Sequence, residues 1–429
     1  MSFVSLSLAL MLQAPADPPK QDPPKQPEPP KGLSVTSGDW SLKFYGFLRA
    51  DMFYDTQHPN NVLVPAAIKA SENDANAAAF PGVAAKKGSE DFEVSARLTR
   101  FGFDITGPKV EKIGAKVSGK LEIDFYSTNV VSDSRAEPRM RHAYVKLAWD
   151  DFYVLAGQTS DIISPLFPSV NSDLVMWGAG NLGDRRPQFQ FGFTPKVGEG
   201  MVSAVLEMGV TGANDGQNLD AAASGVTYLD GVSSGLPTIQ GRLGYKGPHF
   251  WLKEKKFEIG AWAHYAQEKL ETAPFGAFTE DKFTSSAFGL DLTLPIIDML
   301  QIKGEAWSGK NVDDVRGGIF QGVTSFNGGT EIKARGYWAE FELKADDWYA
   351  LSVGVSVDNP IDEAIANPAA GTNAPTGATS NKIIYVANRF MLGNGLTIGA
   401  DLLHWTTTWG GNLEDGVDNR VNIFVQWNF

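Results

Sequence analysis

The chain has 429 residues, 43% of them hydrophobic, no cysteine and a formal charge of −13. Its length suits several soluble domains or one large barrel. The lack of cysteine excludes a disulfide framework and thiolate metal or redox sites, and the acidic balance argues against nucleic acid as a partner. No window of about 20 apolar residues follows the N-terminus, so if this chain sits in lipid it does so as a β-barrel, whose strands need only one apolar face.

Met1 to Leu12 is short and apolar and is followed by Ala14-Pro15-Ala16. This is the pattern of an export signal cleaved after Ala16, residues 1–16, although no Lys or Arg precedes the apolar run. A start further upstream, or a buried first strand, are the competing readings. Next, Asp17-Pro18-Pro19-Lys20-Gln21 repeats as Asp22-Pro23-Pro24-Lys25-Gln26 and loosely as Pro27 to Lys31. Proline at this density fixes φ and removes donors, so residues 17–39 are expected as an extended spacer. It is either a tail without a partner or a periplasmic tether, touching the cell wall through 17–31.

From residue 40 onward, alternating segments recur. Strands are predicted at 42–55, 92–106, 113–126, 138–149, 152–159, 186–194, 201–211, 237–247, 256–269, 281–294, 299–309, 331–345, 348–358, 381–391, 396–409 and 417–429. That is about sixteen, an even number as in single-chain barrels. Gaps alternate between short turns, such as Gly107-Pro108, Asp150-Asp151, Asp346-Asp347 and Gly393-Asn394-Gly395, and long stretches at 56–91, 160–185, 212–236, 310–330 and 359–380. Short turns on one rim and long loops on the other are the layout of a transmembrane antiparallel barrel, with residues 40–429 as one domain. The last strand states the pattern most clearly. Val421, Ile423, Val425, Trp427 and Phe429 share one face, and Arg420, Asn422, Gln426 and Asn428 share the other with Phe424.

Several segments pair an apolar face with a charged one. Leu121, Ile123 and Phe125 oppose Lys120, Glu122 and Asp124. Leu300, Ile302 and Ala306 oppose Gln301, Lys303 and Glu305, and Tyr337, Ala339 and Phe341 oppose Glu340 and Glu342. The charged faces are too polar for a protein core, and sixteen strands enclose more space than side chains fill, so these faces are expected to line water. Trp149, Trp251, Trp348, Trp405, Trp409 and Trp427 fall near strand ends, where aromatic girdles belong. Acidic residues in the gaps (Glu72, Asp74, Asp215, Asp220, Asp313, Asp314, Glu414, Asp415) are either solvated surface or outward groups that bridge divalent ions to lipopolysaccharide.

Arginines share the wet face. Arg49 opposes Leu48 and Met52, Arg100 opposes Phe101, Arg186 aligns with Gln188 and Gln190, Arg242 opposes Leu243, and Arg389 and Arg420 oppose Phe390 and Val421. Guanidinium groups bind carboxylate in a planar, bidentate way and stay charged, and rings of them favour anions. Each one could instead be paired with an acid and merely hydrate the wall. Arg97, Arg139, Arg141 and Arg335 fall on the apolar parity; they lie beyond the membrane or a bulge shifts the register. Residues 160–185 (Pro165, Leu166, Phe167, Pro168, Trp177) are too apolar for a solvated loop, and either fold into the barrel to narrow it or make a rim or subunit contact.

The segment Phe44-Tyr45-Gly46-Phe47-Leu48-Arg49-Ala50-Asp51-Met52-Phe53-Tyr54-Asp55 resembles the opening strand of DcaP-like porins. Leu98 to Phe103, Gly119 to Phe125, Arg141 to Leu147, Ala156 to Thr159 and Arg185-Arg186-Pro187-Gln188 are similar to further pieces of that family, in its order, over roughly 40–195. The resemblance implies a sixteen-stranded trimeric porin of the bacterial outer membrane that passes small anionic solutes, dicarboxylates among them. It implies Arg49, Arg100, Arg141 and Arg186 at the constriction. Family members carry a coiled-coil-prone periplasmic segment where this chain has the Pro-Lys repeat. The expected pore lining is therefore Arg49, Arg100, Arg141, Arg186, Arg242, Arg389, Arg420, Lys120, Glu122 and Asp124, without cofactor. No H-E-x-x-H or G-x-S-x-G occurs and the histidines are scattered, so no enzyme is expected. The expected function is passive diffusion of small hydrophilic anions through a homotrimeric barrel. The alternative is a structural barrel that anchors the envelope through the Pro-Lys segment.

Overall fold

A computed structural model describes residues 33–80, 82–126, 135–170, 176–212, 230–270, 279–324, 329–361, 365 and 377–429. The expected export signal, the Pro-Lys repeat, Asp215 and Asp220 lie outside them. The chain is a closed all-β barrel of sixteen antiparallel strands. In chain order these are β1 (Trp40–Asp55), β2 (Arg100–Val110), β3 (Ala115–Asp124), β4 (Arg139–Ala148), β5 (Phe152–Ser160), β6 (Arg185–Phe193), β7 (Gly200–Gly209) and β8 (Thr238–Pro248). They continue as β9 (Lys256–Lys269), β10 (Lys282–Ile297), β11 (Leu300–Lys310), β12 (Lys333–Asp346), β13 (Tyr349–Pro360), β14 (Ala378–Gly393), β15 (Leu396–Trp409) and β16 (Gly416–Asn428). Each predicted segment has its strand. A short piece, Ser34–Ser37, pairs back onto β1, so the far end of the expected spacer is already sheet.

Closure joins β1 to β16, with Phe47 opposite Asn428 and Tyr54 opposite Val421. At the seam Gly46 and Phe429 exchange both backbone hydrogen bonds, at 3.0 and 3.2 Å, and the Phe429 ring lies 5.3 Å from that of Phe44. A Cβ at Gly46 would come within 2.3 Å of the Arg100 carbonyl oxygen, so only glycine lets the strands meet there. The terminal strand faces as its alternation predicts: Ile423, Val425 and Trp427 are exposed, while Arg420, Asn422 and Phe424 are buried.

Exposed apolar side chains on alternate positions of β1 to β16, such as Leu48, Leu121, Phe189, Leu243, Phe288, Phe341, Ile384 and Leu402, make the outer belt. At the short-turn end indole N–H groups bind neighbouring turns: Trp149 to Ile113, Trp251 to Ile296 and Trp427 to Asn394, all through carbonyl oxygens at 2.8–3.2 Å. Trp405 and Trp409 depart from the expected girdle. Trp405 is buried on the lumen side, and the Trp409 indole donates to the Ile68 carbonyl of the first loop.

Two irregularities turn arginines inward. The predicted strand 92–106 is broken into Asp91–Ser95 and β2, both paired with β1. In the break, Arg97 is buried and donates to the Phe125 carbonyl. In β4, His142 pairs with Glu122 but Met140 pairs with Ile123, so Arg141 is the extra residue of a bulge. Met140 is exposed and Arg141 buried. Arg335 lies on the outward face, as its parity required.

The long loop Asp161–Asp184 folds into the barrel. Its Ile163 and Leu182 pack with Trp262, Ala287, Trp307, Val312 and Ala334. Its Val170, Met176 and Ala179 pack with Ile383, Tyr385, Leu403 and Trp405, joined by Ile68 of the first loop. Asn381 of β14 holds both loops, donating at 2.6 Å to the carbonyls of Ala66 and Gly178. Of the acidic loop residues, Glu72, Asp313 and Asp314 are buried and do not offer carboxylates to a lipid surface. Glu414 is exposed and paired with Lys87 at 3.2 Å.

Candidate functional site: an arginine-lined constriction

The inward loop does not fill the lumen evenly. It lies on the walls of β9 to β15 and binds their acids. The Leu166 amide donates to Glu305 at 2.8 Å, and Ser164 donates its hydroxyl to the same carboxylate. The Ser169 amide and hydroxyl donate to Glu340 at 2.9 and 2.6 Å, and Lys303 pairs with Glu340 at 3.0 Å. Glu305 and Glu340 are thereby buried. They face inward as their parity predicts, but the loop rather than water covers them.

Opposite, a cavity of about 580 Å³ remains. Arg49, Arg100, Arg141, Arg185 and Arg389 border it, with Glu122 and His142. The loop contributes Phe167, Pro168, Ser169, Val170 and Trp177, and the closing strand contributes Phe424 and Gln426. Arg49 pairs with Asp51 at 3.0 Å, donates to Gln426 at 2.8 Å and lies 3.7 Å above the Phe424 ring. That stacking explains the one apolar residue on the wet face of β16. Arg100 stands 3.6 Å from Glu122 and over Phe47. Arg141 reaches Glu122 at 2.7 Å and Asp124 at 2.8 Å. Arg389 pairs with Asp401 at 2.5 Å, and its other nitrogen donates to the Ser169 carbonyl, tying the loop tip to the wall.

The pairs are asymmetric with respect to water. Arg49 is 10% exposed and Asp51 1%, Arg100 23% and Glu122 8%, and Arg389 19% and Asp401 0%. Asp51 and Asp401 sit in the wall behind and the guanidinium edges of Arg49 and Arg389 face the cavity, whereas Glu122 itself borders the cavity between Arg100 and Arg141. A wall whose formal charges nearly cancel thus presents positive charge and N–H donors to whatever passes.

The remaining expected lining residues have other roles. Arg186 is fully buried, paired with Asp161 at 2.6 Å and Asp314 at 2.7 Å. It is a strut between the roots of two loops rather than a pore group, which corrects its expected place. Arg420 is likewise sealed, against Asp55 and the Val62 carbonyl. Arg242 lies away from the cavity, paired with Asp291 at 2.6 Å. Lys120 binds Asp104 at 2.8 Å and the Tyr45 hydroxyl at 2.9 Å. Asp124 is buried between Arg139 and Arg141. Phe167 and Trp177 belong to the segment expected either to narrow the barrel or to make a rim contact, and they line the cavity. Arg185 was not among the expected lining residues; it borders the cavity from the start of β6. Among the described residues no group of His, Asp and Glu converges as a metal site would.

Solved structures share this architecture. The outer membrane channel DcaP of Acinetobacter baumannii aligns with a TM-score of 0.68 at 16% identity, over 93% of this chain and 99% of that one. An anion-selective porin from Comamonas acidovorans aligns at 0.54 with 13% identity, over 91% and 100%. Salmonella typhi OmpF aligns at 0.55 with 9% identity, over 92% and 100%. No family model matches the chain, and no curated protein sequence does. The chain has the sixteen-stranded barrel fold of these channels.

Proposed function

We propose that this protein is a bacterial outer-membrane porin that assembles as a homotrimer and passes small hydrophilic anions by diffusion. The fold it shares with an outer membrane channel and an anion-selective porin supports the location and the passive mechanism. One observation carries the anion preference: the inward loop covers Glu305 and Glu340 and leaves open the side bearing Arg49, Arg100, Arg141 and Arg389. Spaced guanidinium groups around a cavity of this size suit a solute with one or two carboxylates, each held in planar contact and released to the next donor. Phe167, Trp177 and Phe424 add apolar surface for the carbon skeleton of such a solute. Diffusion down a gradient requires no cofactor.

The test is a planar-bilayer recording of the purified protein under a salt gradient. Stepwise openings with a reversal potential on the anion side are expected. Cation preference would keep the pore and overturn the role of the arginines. A folded barrel without openings would favour the envelope-anchor reading, for which deletion of residues 17–31 should release the barrel from the cell wall.

A further inference from the structure

The outer surface is uneven at the long-loop end. Outward positions toward the long-loop ends of β9 to β12 and of β14 carry Lys269, Lys282, Lys310, Lys333, Arg335 and Lys382, with Asn359 at that end of β13. They share faces with the exposed Tyr265, Phe288, Tyr337 and Ile384 of the apolar belt. Arg335 stands two residues from Tyr337 and Lys382 two from Ile384, about 7 Å along the strand, so the charges sit directly on the apolar band. In the first half of the chain, Phe92 and Val94 of the Asp91–Ser95 piece, Met140 of β4, Phe189 of β6 and Ile239 of β8 are exposed apolar side chains.

The belt places like charges side by side. Lys269 is directly opposite Lys282, and Lys310 opposite Lys333. Facing like charges destabilise a sheet. Among the described residues Lys310 has an acid partner, Glu331 at 3.2 Å, whereas Lys282, Lys333, Arg335 and Lys382 form no ion pair and are exposed. Between Arg335 and Lys382 a groove of about 720 Å³ opens outward, lined also by Asn359, Thr379 and Thr408. On a chain of charge −13 this concentration of cations without acid partners, beside the exposed apolar residues of the belt, is complementary to an anion.

We propose that this belt binds the phosphate groups of glycolipids in the outer leaflet, with Arg335 and Lys382 gripping a headgroup in the groove and the acyl chains lying along Tyr337 and Ile384. The inference rests on the outer-membrane reading. It moves lipid contact from the acidic loops, where the sequence suggested it, to the barrel wall. A guanidinium and several ammonium groups with hydroxyl and amide neighbours supply the donors a phosphate takes.

The experiment compares the full chain in detergent with the K282Q/K333Q/R335Q/K382Q variant. The probes are diphosphorylated lipid A and its dephosphorylated form, with bound lipid read by native mass spectrometry. At about fivefold per basic residue near an anionic surface, the variant should bind the phosphorylated lipid roughly a hundredfold or more weakly. Dephosphorylated lipid should bind poorly to both. Equal binding by the variant, or equal binding of both lipids by the unaltered chain, overturns the proposal. So does a variant that loses its oligomeric state, since the belt would then be a contact between copies. Heat-modifiable mobility shows that the variant is folded. Bilayer conductance is read separately: a non-conducting unaltered chain would sink the porin reading, and lost lipid binding with intact conductance would support the belt.

Discussion

On one side of the lumen, Arg49, Arg100, Arg141 and Arg389 border open space, with Asp51 and Asp401 behind Arg49 and Arg389 and Glu122 shared between Arg100 and Arg141. On the other, Glu305 and Glu340 point inward from β11 and β12 by the same strand alternation, yet the loop Asp161–Asp184 lies on them. Both walls were built by one rule, charged residues on the inner parity of a strand. They differ in what covers them. The difference teaches that the field a solute meets depends on which inner charges a loop removes from water, because a buried, hydrogen-bonded carboxylate is hidden from a passing ion and an exposed guanidinium edge is not.

The most drastic way to break the comparison is to take the cover away. Replacing residues 165–180 by a short Gly-Ser link removes the Ser169 and Leu166 donors and the packing of Val170 and Met176. Conductance should rise several-fold, and selectivity should move toward cations as Glu305 and Glu340 regain water. Single-channel recording with reversal potentials reads both. An enlarged pore that kept its anion preference unchanged would show that the loop's masking is not what sets the field.

Next in size is removal of the open charges. In the R49Q/R100Q/R389Q variant Asp51 and Asp401 lose their nearest cations, and Glu122 loses Arg100 while keeping Arg141 at 2.7 Å. A unit charge about 4 Å away in a water-like medium is worth about 1 kcal/mol, roughly a fivefold change in ion partition. The anion-to-cation permeability ratio should therefore fall to one or below. A ratio that stays high after all three substitutions would assign selectivity elsewhere, to Lys120 or Arg185.

Much of this could be read in the chain beforehand, and the failures have a common cause. Strand alternation depends on neighbours along the sequence, so the strands, the terminal seam and the inner and outer faces were legible. The apolar composition of 160–185 also marked it as a loop that avoids water. Burial of an inner charge depends instead on residues more than a hundred positions away: Arg186 meets Asp314, and Glu340 meets Ser169. No local pattern reports such meetings. Alternation alone points Arg141 outward, and one added residue in β4 reverses the parity; its place at the cavity was named by the family resemblance and not by the strand pattern.

Arg186 sharpens the contrast between lining and strut. Replacing it by methionine leaves Asp161 and Asp314 in a sealed site without their cation. Breaking a buried pair in this way costs about 3–5 kcal/mol. The temperature at which the barrel loses its heat-modifiable mobility should drop, and the reversal potential of surviving channels should stay close to that of the unaltered protein. A selectivity change as large as that of Arg49→Gln would place Arg186 in the ion path and undo the division.

The smallest expected effect tests the bulge itself. Because Arg141 is the extra residue of the bulge between Met140 and His142, deleting it should leave Ile123 paired with Met140 and Glu122 with His142 in an uninterrupted ladder. Glu122 would keep Arg100 at 3.6 Å and the Tyr45 hydroxyl at 2.8 Å, and Asp124 would keep Arg139 at 2.7 Å. Neither acid is stranded, so the stability loss should lie near the about 1 kcal/mol of a replaceable hydrogen bond rather than that of a broken buried pair. Arg141→Ala keeps the bulge and removes the same charge. The two variants should therefore lower the anion preference equally and by less than Arg100→Gln, because Arg141 is more enclosed than Arg100 and faces two acids. If the deletion unfolds the barrel while the alanine variant does not, the kink of the bulge, and not only its side chain, is what lets β4 reach the inward loop.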